Sequence, residues 1–189
     1  MSGPPVGVVL AGGAGRRIGG DKALVALDGR PLLLYPLEIL RVVLDDVVVV
    51  CKPDTALPPL PAPVPVWWEN DPVHHPLIGV AAALREAAGR PILVCAGDMP
   101  LVTTGAIRAL ADAPAAMAVL ARAGGRMQPL LGRFAPEALA VIEAMELDEP
   151  ATRVVERMAP AFVDVDEELV LNVNAPEDIL AASAALSRR

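Results

Sequence analysis

The chain has 189 residues, of which 54% are hydrophobic and 3% aromatic, and its mean hydropathy is +0.48. This composition excludes an intrinsically disordered chain and favours one domain with a core of small and aliphatic side chains. The formal net charge is −7, and long basic runs are absent, which is unlike nucleic-acid-binding proteins. We therefore expect no nucleic-acid partner.

Cysteine content and hydropathy predict the compartment. Cys51 and Cys95 are the only cysteines, and they form neither a disulfide framework nor a Cys-x-x-Cys metal pair. The apolar run Val6–Ala11 is too short for a signal peptide, and no run approaches the ~18 apolar residues of a membrane span. We expect buried thiols in a cytoplasmic protein that does not bind membranes.

Apolar runs alternate with segments of helical periodicity from the start of the chain to about residue 111. The proline-rich segment from Lys52 to Pro65 interrupts this alternation and is predicted to be a loop. The other elements predicted here are a strand at Val6–Ala11, a helix at Pro31–Leu44, strands at Val47–Cys51 and Val64–Trp68, a helix at Pro76–Ala88, a strand at Pro91–Ala96 and a helix at Thr103–Ala111.

In the remainder of the chain, Gly124 and Gly125 separate two apolar runs and predict a β-hairpin. The elements predicted here are strands at Met117–Ala121 and Gln128–Phe134, helices at Pro136–Met145 and Ala151–Met158, a strand at Pro160–Val165 and a helix at Pro176–Leu186. Alternating strands and helices with long connections predict βαβ units. We therefore expect a single domain at 1–189 with a three-layer, Rossmann-like α/β fold, in which a mostly parallel sheet carries helices on both faces and one antiparallel hairpin.

Polar residues follow several of the predicted strands. Glycines and cations follow the first strand, Glu69-Asn70-Asp71 follows the third, Asp98 follows the fourth, and Asn172-Val173-Asn174 comes shortly after the last. Ligands of such sheets bind outside the carboxyl ends of the strands. The convergence of glycines, cations, carboxylates and amides on one edge predicts the binding site there.

The first of these segments, residues 10–22, reads Leu-Ala-Gly-Gly-Ala-Gly-Arg-Arg-Ile-Gly-Gly-Asp-Lys. Its glycines let a phosphate approach the backbone, and Arg16, Arg17 and Lys22 supply positive charge. Spacing excludes two common phosphate-binding motifs. The dinucleotide fingerprint requires glycine or alanine where Ile18 stands, and the P-loop requires lysine where Asp21 stands.

This segment resembles the LAGG-x-x-x-R-M-G-x-D-K signature of the nucleotidyltransferases that make the guanine dinucleotide form of the molybdenum cofactor. Each further match is weak or moderate alone, but all of them in order are specific. Residues 75–79 (HPLIG) resemble a GPLAG element, 95–100 (CAGDMP) a C-x-x-D-x-P element, 128–130 a QPL element, and 172–178 (NVNAPED) an NVNTPED element. His75 stands where the family usually has glycine.

The resemblance implies that GTP reacts with the phosphate of molybdopterin to give the dinucleotide and pyrophosphate. It further implies that Asp98 binds Mg²⁺, with Mn²⁺ as an alternative, and that Arg17 and Lys22 neutralise the phosphates. The implied nucleotide-binding residues are Leu10, Ala11, Gly12, Gly13, Lys22, Asp71 and Asp98, and the implied acceptor-binding residues are Gln128, Asn172 and Asn174. Relatives with LAAG tend to use CTP, so Gly12 and Gly13 favour guanine.

Structural interpretations of these residues remain open at this point. Asp98 and Asp71 are also typical of turns, and Asn172 and Asn174 are also typical of helix caps. His74 and His75, the only histidines, are a conceivable metal pair, but neighbouring residues point in different directions, which favours a polar loop.

Three other functions are open as well: a sister nucleotidyltransferase with another base or acceptor, a non-catalytic nucleotide-binding module, and a dinucleotide-dependent oxidoreductase, which Ile18 disfavours. The expected partners are GTP and molybdopterin as substrates, with a cofactor-delivery protein as a further candidate that has no residue signature. We expect a monomer or a weak homo-oligomer.

Overall fold

The computed structural model describes residues 3–12, 22–61 and 64–189. The strands in these ranges are β1 (Val6–Leu10), β2 (Ala26–Leu27), β3 (Arg30–Pro31), β4 (Val47–Cys51), β5 (Val66–Trp68), β6 (Ile92–Ala96), β7 (Ala118–Ala123), β8 (Arg126–Phe134) and β9 (Ala161–Asp164). Seven of them form one sheet in the order β5-β4-β1-β6-β8-β7-β9, while β2 and β3 form a separate hairpin.

The helices cover both faces of the large sheet. They are α1 (Leu34–Val43), α2 (Pro76–Glu86), α3 (Thr104–Asp112), α4 (Ala138–Glu143), α5 (Ala151–Glu156) and α6 (Pro176–Leu186). Buried side chains of α2, α4 and α5 pack on one face, and those of α1 and α3 pack on the other. No helix in the described ranges is long and apolar enough to cross a membrane.

The strand directions confirm the predicted mostly parallel sheet. β1 runs parallel to β4 and β6, β4 runs parallel to β5, and β7 runs parallel to β9. Only β8 runs against its neighbours in the sheet, β6 and β7, and it closes the predicted antiparallel hairpin with β7. The carboxyl ends of the other six strands therefore lie at one edge.

The β2–β3 hairpin was not predicted, and it corrects the predicted helix at Pro31–Leu44. Asp28 and Gly29 form its turn with φ angles of 51° and 78°, which suits an Asp-Gly hairpin turn. Pro31 pairs with Ala26 in the hairpin, so α1 begins only at Leu34. The predicted helices at Pro136–Met145 and Ala151–Met158 are also shorter in the structure.

A third, small core joins the hairpin to the last helix. Leu27, Leu32, Val173 and Ala182 are buried together there. Because Val173 is fully buried in this core, the segment on either side of it is fixed in space. That segment holds Asn172 and Asn174.

Candidate active site at the carboxyl edge of the sheet

Asp98 lies in a tight turn just beyond β6. All five residues of β6 are buried, and the chain turns back where the amide of Met99 donates to the carbonyl of Ala96 at 3.2 Å. Met99 is itself buried. The turn is thus anchored on both sides of Asp98, which places the carboxylate at the edge of the sheet between β1 and the segment after β9.

Gly97 allows this turn to approach the end of β1. Its amide donates to the carbonyl of Leu10 at 3.0 Å. A Cβ at position 97 would lie 3.0 Å from that oxygen and 2.8 Å from Cδ1 of Leu33. Only glycine fits there without displacing the backbone that carries Asp98.

Lys22 connects Asp98 to the segment after β9. It begins a short 3₁₀ helix, Lys22–Leu24, and its ammonium group donates to Oδ2 of Asp98 and, at 2.6 Å, to Oδ1 of Asn174. The side chains of Lys22 and Asp98 are 15% and 20% exposed. Three residues predicted from distant parts of the sequence therefore meet in one partly buried cluster.

The backbone of the 172–175 segment is tied to the same place. The amide of Val173 donates to the carbonyl of Asp98 at 3.0 Å. The carboxylate of Asp178, in the first turn of α6, accepts from the amides of Asn174 and Ala175 at 2.8 Å each. Sequence reasoning did not single out Asp178, although its place in the first turn of a predicted helix is a capping signal.

The carboxylate of Asp98 fits a metal ligand. Its Oδ1 atom is buried and has no hydrogen-bond partner among the described residues. A buried carboxylate oxygen without a partner is costly unless a cation or donor completes it. Within the described ranges, no cluster of three or more His, Cys, Asp or Glu side chains forms a metal site made of protein ligands alone. A single carboxylate suits Mg²⁺, which takes its remaining ligands from phosphates and water.

Cys95, in β6, lies close enough to Asp98 to respond to its charge. Burial, and secondarily the negative charge of Asp98, raises the pKa of the Cys95 thiol. The thiol is fully buried, so it remains neutral beside the site. Its part is to fill the core beneath Asp98.

The predicted base pocket begins at the end of β1. Leu10 and Ala11 are buried, and the amide of Ala11 donates to the carbonyl of Val50 at 2.8 Å. Gly12 is exposed, its φ lies outside the left-handed region, and a Cβ there would meet no described atom within 4 Å. Gly13 and Arg17 were also predicted to bind or neutralise the nucleotide, but they lie outside the described residues.

The turn that carries Asp71 is held by an ion pair that sequence reasoning missed. Lys52, just after β4, contacts Glu69 with 2.9 Å between Nζ and Oε2, and it donates to the carbonyls of Asp71 and Val73. Oε1 of Glu69 accepts from the amide of Asp71 at 2.6 Å. The Asp71 carboxylate accepts from the amide of Val73 at 2.9 Å and is exposed.

Gln128 and Asn172, the other predicted acceptor residues, make no described side-chain contact with Lys22 or Asp98. Gln128 is half-buried in β8 opposite Ala121. The amide group of Asn172 donates to the carbonyl of Val170 at 3.1 Å. Gln128 nevertheless lies near the start of β8, and Asn172 lies in the segment before α6, so both are near the same edge of the sheet.

His75 begins α2. Its Nδ1 accepts from the amide of Leu77 at 3.2 Å, so its Nε2 carries the proton and donates to the carbonyl of Glu149 at 3.0 Å. His74 is exposed. His75 therefore caps the helix and fastens it to the chain between α4 and α5.

Comparison with known proteins decides the family. The family model described as MobA-like NTP transferase domain matches residues 7–163. This chain belongs to that family. The match includes Lys22, Asp71, Asp98 and all of β1 except its first residue, so the predicted nucleotidyltransferase resemblance is confirmed.

Relatives within the family match over nearly the whole chain. A molybdenum cofactor guanylyltransferase of Cereibacter sphaeroides is 37% identical over 96% of this chain and 97% of that protein. One of Ectopseudomonas mendocina is 31% identical over 96% of this chain and 93% of that protein. Molybdopterin-guanine dinucleotide biosynthesis protein A of Archaeoglobus fulgidus superposes with a TM-score of 0.78 at 26% identity, over 97% of this chain and 99% of that one. These matches confirm the predicted fold.

Proposed function

We propose that this chain, acting as one domain, transfers GMP from GTP to the phosphate of molybdopterin and releases pyrophosphate. The observation that carries the proposal is the buried Oδ1 of Asp98, which has no hydrogen-bond partner in the part of the chain that the structure describes and lies beside the ammonium group of Lys22, at the sheet edge of a MobA-like transferase. This is the pairing that a magnesium nucleotide needs: a carboxylate for the cation and a cation for the phosphates.

In the proposed reaction, a phosphate oxygen of molybdopterin forms a bond to the α-phosphorus of GTP. The bond from the α-phosphorus to the bridging oxygen breaks, and pyrophosphate leaves with the electron pair. The nucleophile is already an anion, so the protein has to position the reactants and stabilise charge rather than abstract a proton.

The residues divide this work between them. Asp98 would hold Mg²⁺, or Mn²⁺ in its place, and the bound cation would reduce the negative charge on the phosphate oxygens. Lys22 and Arg17 neutralise the triphosphate and the pyrophosphate. Gly12 and Gly13 offer backbone to the nucleotide, Leu10 and Ala11 line the base, and Asp71 completes the nucleotide site. Gln128, Asn172 and Asn174 receive the acceptor.

Guanine is the proposed base because Gly12 leaves space beside the end of β1. Neither packing nor backbone conformation in the described structure requires a glycine at this position. CTP is the alternative substrate. Thermal stability with GTP, CTP, UTP or ATP, each with and without Mg²⁺, distinguishes the two, because a ligand at about 100 times its Kd stabilises by roughly 2.7 kcal/mol.

The transfer itself is tested by the release of pyrophosphate from GTP, Mg²⁺ and molybdopterin. Asp98→Asn should fold normally and lose Mg²⁺-dependent transfer by about a hundredfold or more. Asp46→Asn is the matched control, since Asp46 pairs with Arg90 away from the cluster. Full Mg²⁺-dependent transfer by Asp98→Asn would contradict the metal assignment, and a thermal shift with CTP alone would contradict the choice of guanine.

A further inference from the structure

A closed ring of contacts surrounds the ammonium group of Lys22. Lys22 bonds the side chains of Asp98 and Asn174, and the residue before Asn174, Val173, bonds the carbonyl of Asp98. The side chain of Asn174 also donates from Nδ2 to the carbonyl of Asn172 at 3.3 Å. The backbone at Asn174 is held by Asp178, whose carboxylate accepts from the amides of Asn174 and Ala175.

The first turn of α6 depends on Asp178 for this contact. The residue that precedes the helix is Ala175, whose methyl side chain cannot accept a hydrogen bond. Pro176 has no amide hydrogen, and Glu177 is exposed without a described hydrogen bond. Asp178 therefore provides the side-chain acceptor in this turn, and it directs that acceptor toward Asn174.

Asn174 can hold Lys22 in place when a metal cation binds to Asp98 together with the nucleotide. A cation at Asp98 and the ammonium group of Lys22 compete for the same carboxylate and repel each other. The amide oxygen of Asn174, 2.6 Å from Nζ, is a neutral partner that holds the lysine at the edge while the carboxylate serves the cation. Because the lysine side chain is flexible, the amide oxygen of Asn174 can hold the ammonium group only if Asn174 is itself fixed in position.

We propose that Asp178 is a positioning residue, which fixes Asn174 so that Lys22 stays directed at the nucleotide phosphates. Asp178 acts through Asn174 and touches neither substrate. The proposed benefit to GTP binding and transfer rests on the proposed function, but the placement of Lys22 can be measured without any substrate.

The sequence offers an unusually clean probe of that placement. Lys22 and Lys52 are the only lysines in the chain. Selective ¹³C-lysine labelling therefore gives two ε-methylene NMR signals, which a Lys22→Met variant assigns. Lys52 is an internal reference, because its contacts with Glu69 and the 71–73 carbonyls do not involve α6.

In the substrate-free protein, Asp178→Ala should shift the Lys22 signal in the direction produced by Asn174→Ala and leave the Lys52 signal in place. Glu177→Gln removes the same charge from the same turn and should leave both signals unchanged. An unchanged Lys22 signal in Asp178→Ala, or equal shifts of both lysines, would overturn the proposal.

Binding and turnover provide the second arm. Asp178→Ala should weaken Mg²⁺·GTP binding and lower kcat/KM by about tenfold, the scale of a lost supporting contact. In a Lys22→Met background the same substitution should cost nothing further, since the residue it positions is gone. A loss that persists in that background would identify Asp178 as merely structural and refute the proposal.

Asp178→Ala removes a helix cap as well as the contact with Asn174, and adding Ala175→Ser distinguishes the two effects. A serine at this position can cap the amide of residue 178, but it cannot accept from the amide of Asn174. The Ala175→Ser/Asp178→Ala double variant should therefore regain stability and keep the altered Lys22 signal. Recovery of the wild-type signal would overturn the proposal. Failure of the wild-type protein to use GTP would reject only the proposed function.

Discussion

At the scale of a single residue, a substitution of Gly12 should affect nucleotide binding without affecting the stability of the fold. Nothing described lies within 4 Å of a Cβ placed there, and its backbone is open to any residue. We predict that Gly12→Ala changes the free energy of unfolding by less than about 0.5 kcal/mol. GTP affinity should fall about tenfold or more, the scale of one added methyl group in a pocket.

Calorimetric titration with GTP and CTP, beside urea denaturation, measures both effects. CTP affinity should fall less than GTP affinity, because a smaller base leaves space for the methyl group. Equal losses for both nucleotides would argue that Gly12 does not contact the base. A large loss of stability would show that the glycine is structural.

Gly97, unlike Gly12, has no space for a side chain, because neighbouring atoms already fill the position of a Cβ. Its Cβ would lie 3.0 Å from the carbonyl oxygen of Leu10, which cannot move freely because it belongs to β1, a strand paired on both sides. We predict that Gly97→Ala destabilises the protein by about 1–3 kcal/mol. Because Asp98 is the next residue, Mg²⁺-dependent nucleotide binding should weaken as well.

Gly105→Ala is the control for this substitution, measured by the same urea denaturation. A Cβ at Gly105 would meet only Oγ1 of Thr103, at 3.9 Å, and the residue lies in α3. Alanine is favoured over glycine in helices by up to ~1 kcal/mol. Gly105→Ala should therefore be neutral or stabilising, and comparable losses in both variants would refute the steric explanation.

At the scale of elements, His75 caps the start of α2 and bonds it to the carbonyl of Glu149. We predict that His75→Ala loses about 1 kcal/mol of stability through the cap alone, and more through the bond to Glu149. His75→Asn should recover the cap, because asparagine is a good capping residue, but it is too short to reach the Glu149 carbonyl.

Urea denaturation of the two variants beside His74→Ala tests this assignment. His74 is exposed, so its replacement should change stability little. If His75→Asn were no more stable than His75→Ala, the capping contribution would be wrong. If it matched the wild type, the bond to Glu149 would contribute nothing.

At the scale of the whole molecule, two buried thiols make stability depend on alkaline pH. Burial, with a smaller contribution from Asp54, raises the pKa of Cys51 from 9.0 to about 11, and burial raises the pKa of Cys95 as well. Between pH 9 and 11 the folded protein keeps protons that the unfolded chain releases. Stability therefore falls as pH rises, by at most about 1.4 kcal/mol per pH unit for each thiol.

Urea denaturation at several pH values from 8.5 to 10.5 measures this slope. Cys51→Ala should be less stable at pH 8.5, because it leaves a cavity, but its stability should decline less steeply with pH. An unchanged slope would show that Cys51 titrates normally in the folded protein.

The sequence by itself determined the framework of the molecule. Continuous apolar runs such as Val47–Cys51 indicate strands covered on both faces, and strand–helix alternation with long connections leaves a parallel sheet as the simple solution. Because parallel strands end at a common edge, the positions of Lys22, Asp98 and Asn174 after or between strands were sufficient to predict a shared site.

Tertiary structure alone decided how those residues are held. The contacts of Lys22 with Asp98 and Asn174, of Lys52 with Glu69, and of His75 with Glu149 join segments that no local pattern relates. The Asp28–Gly29 turn was visible in the sequence, but the neighbouring helical pattern obscured it. Sequence periodicity reports which face of an element is buried, whereas the partner of a polar side chain depends on how distant segments pack.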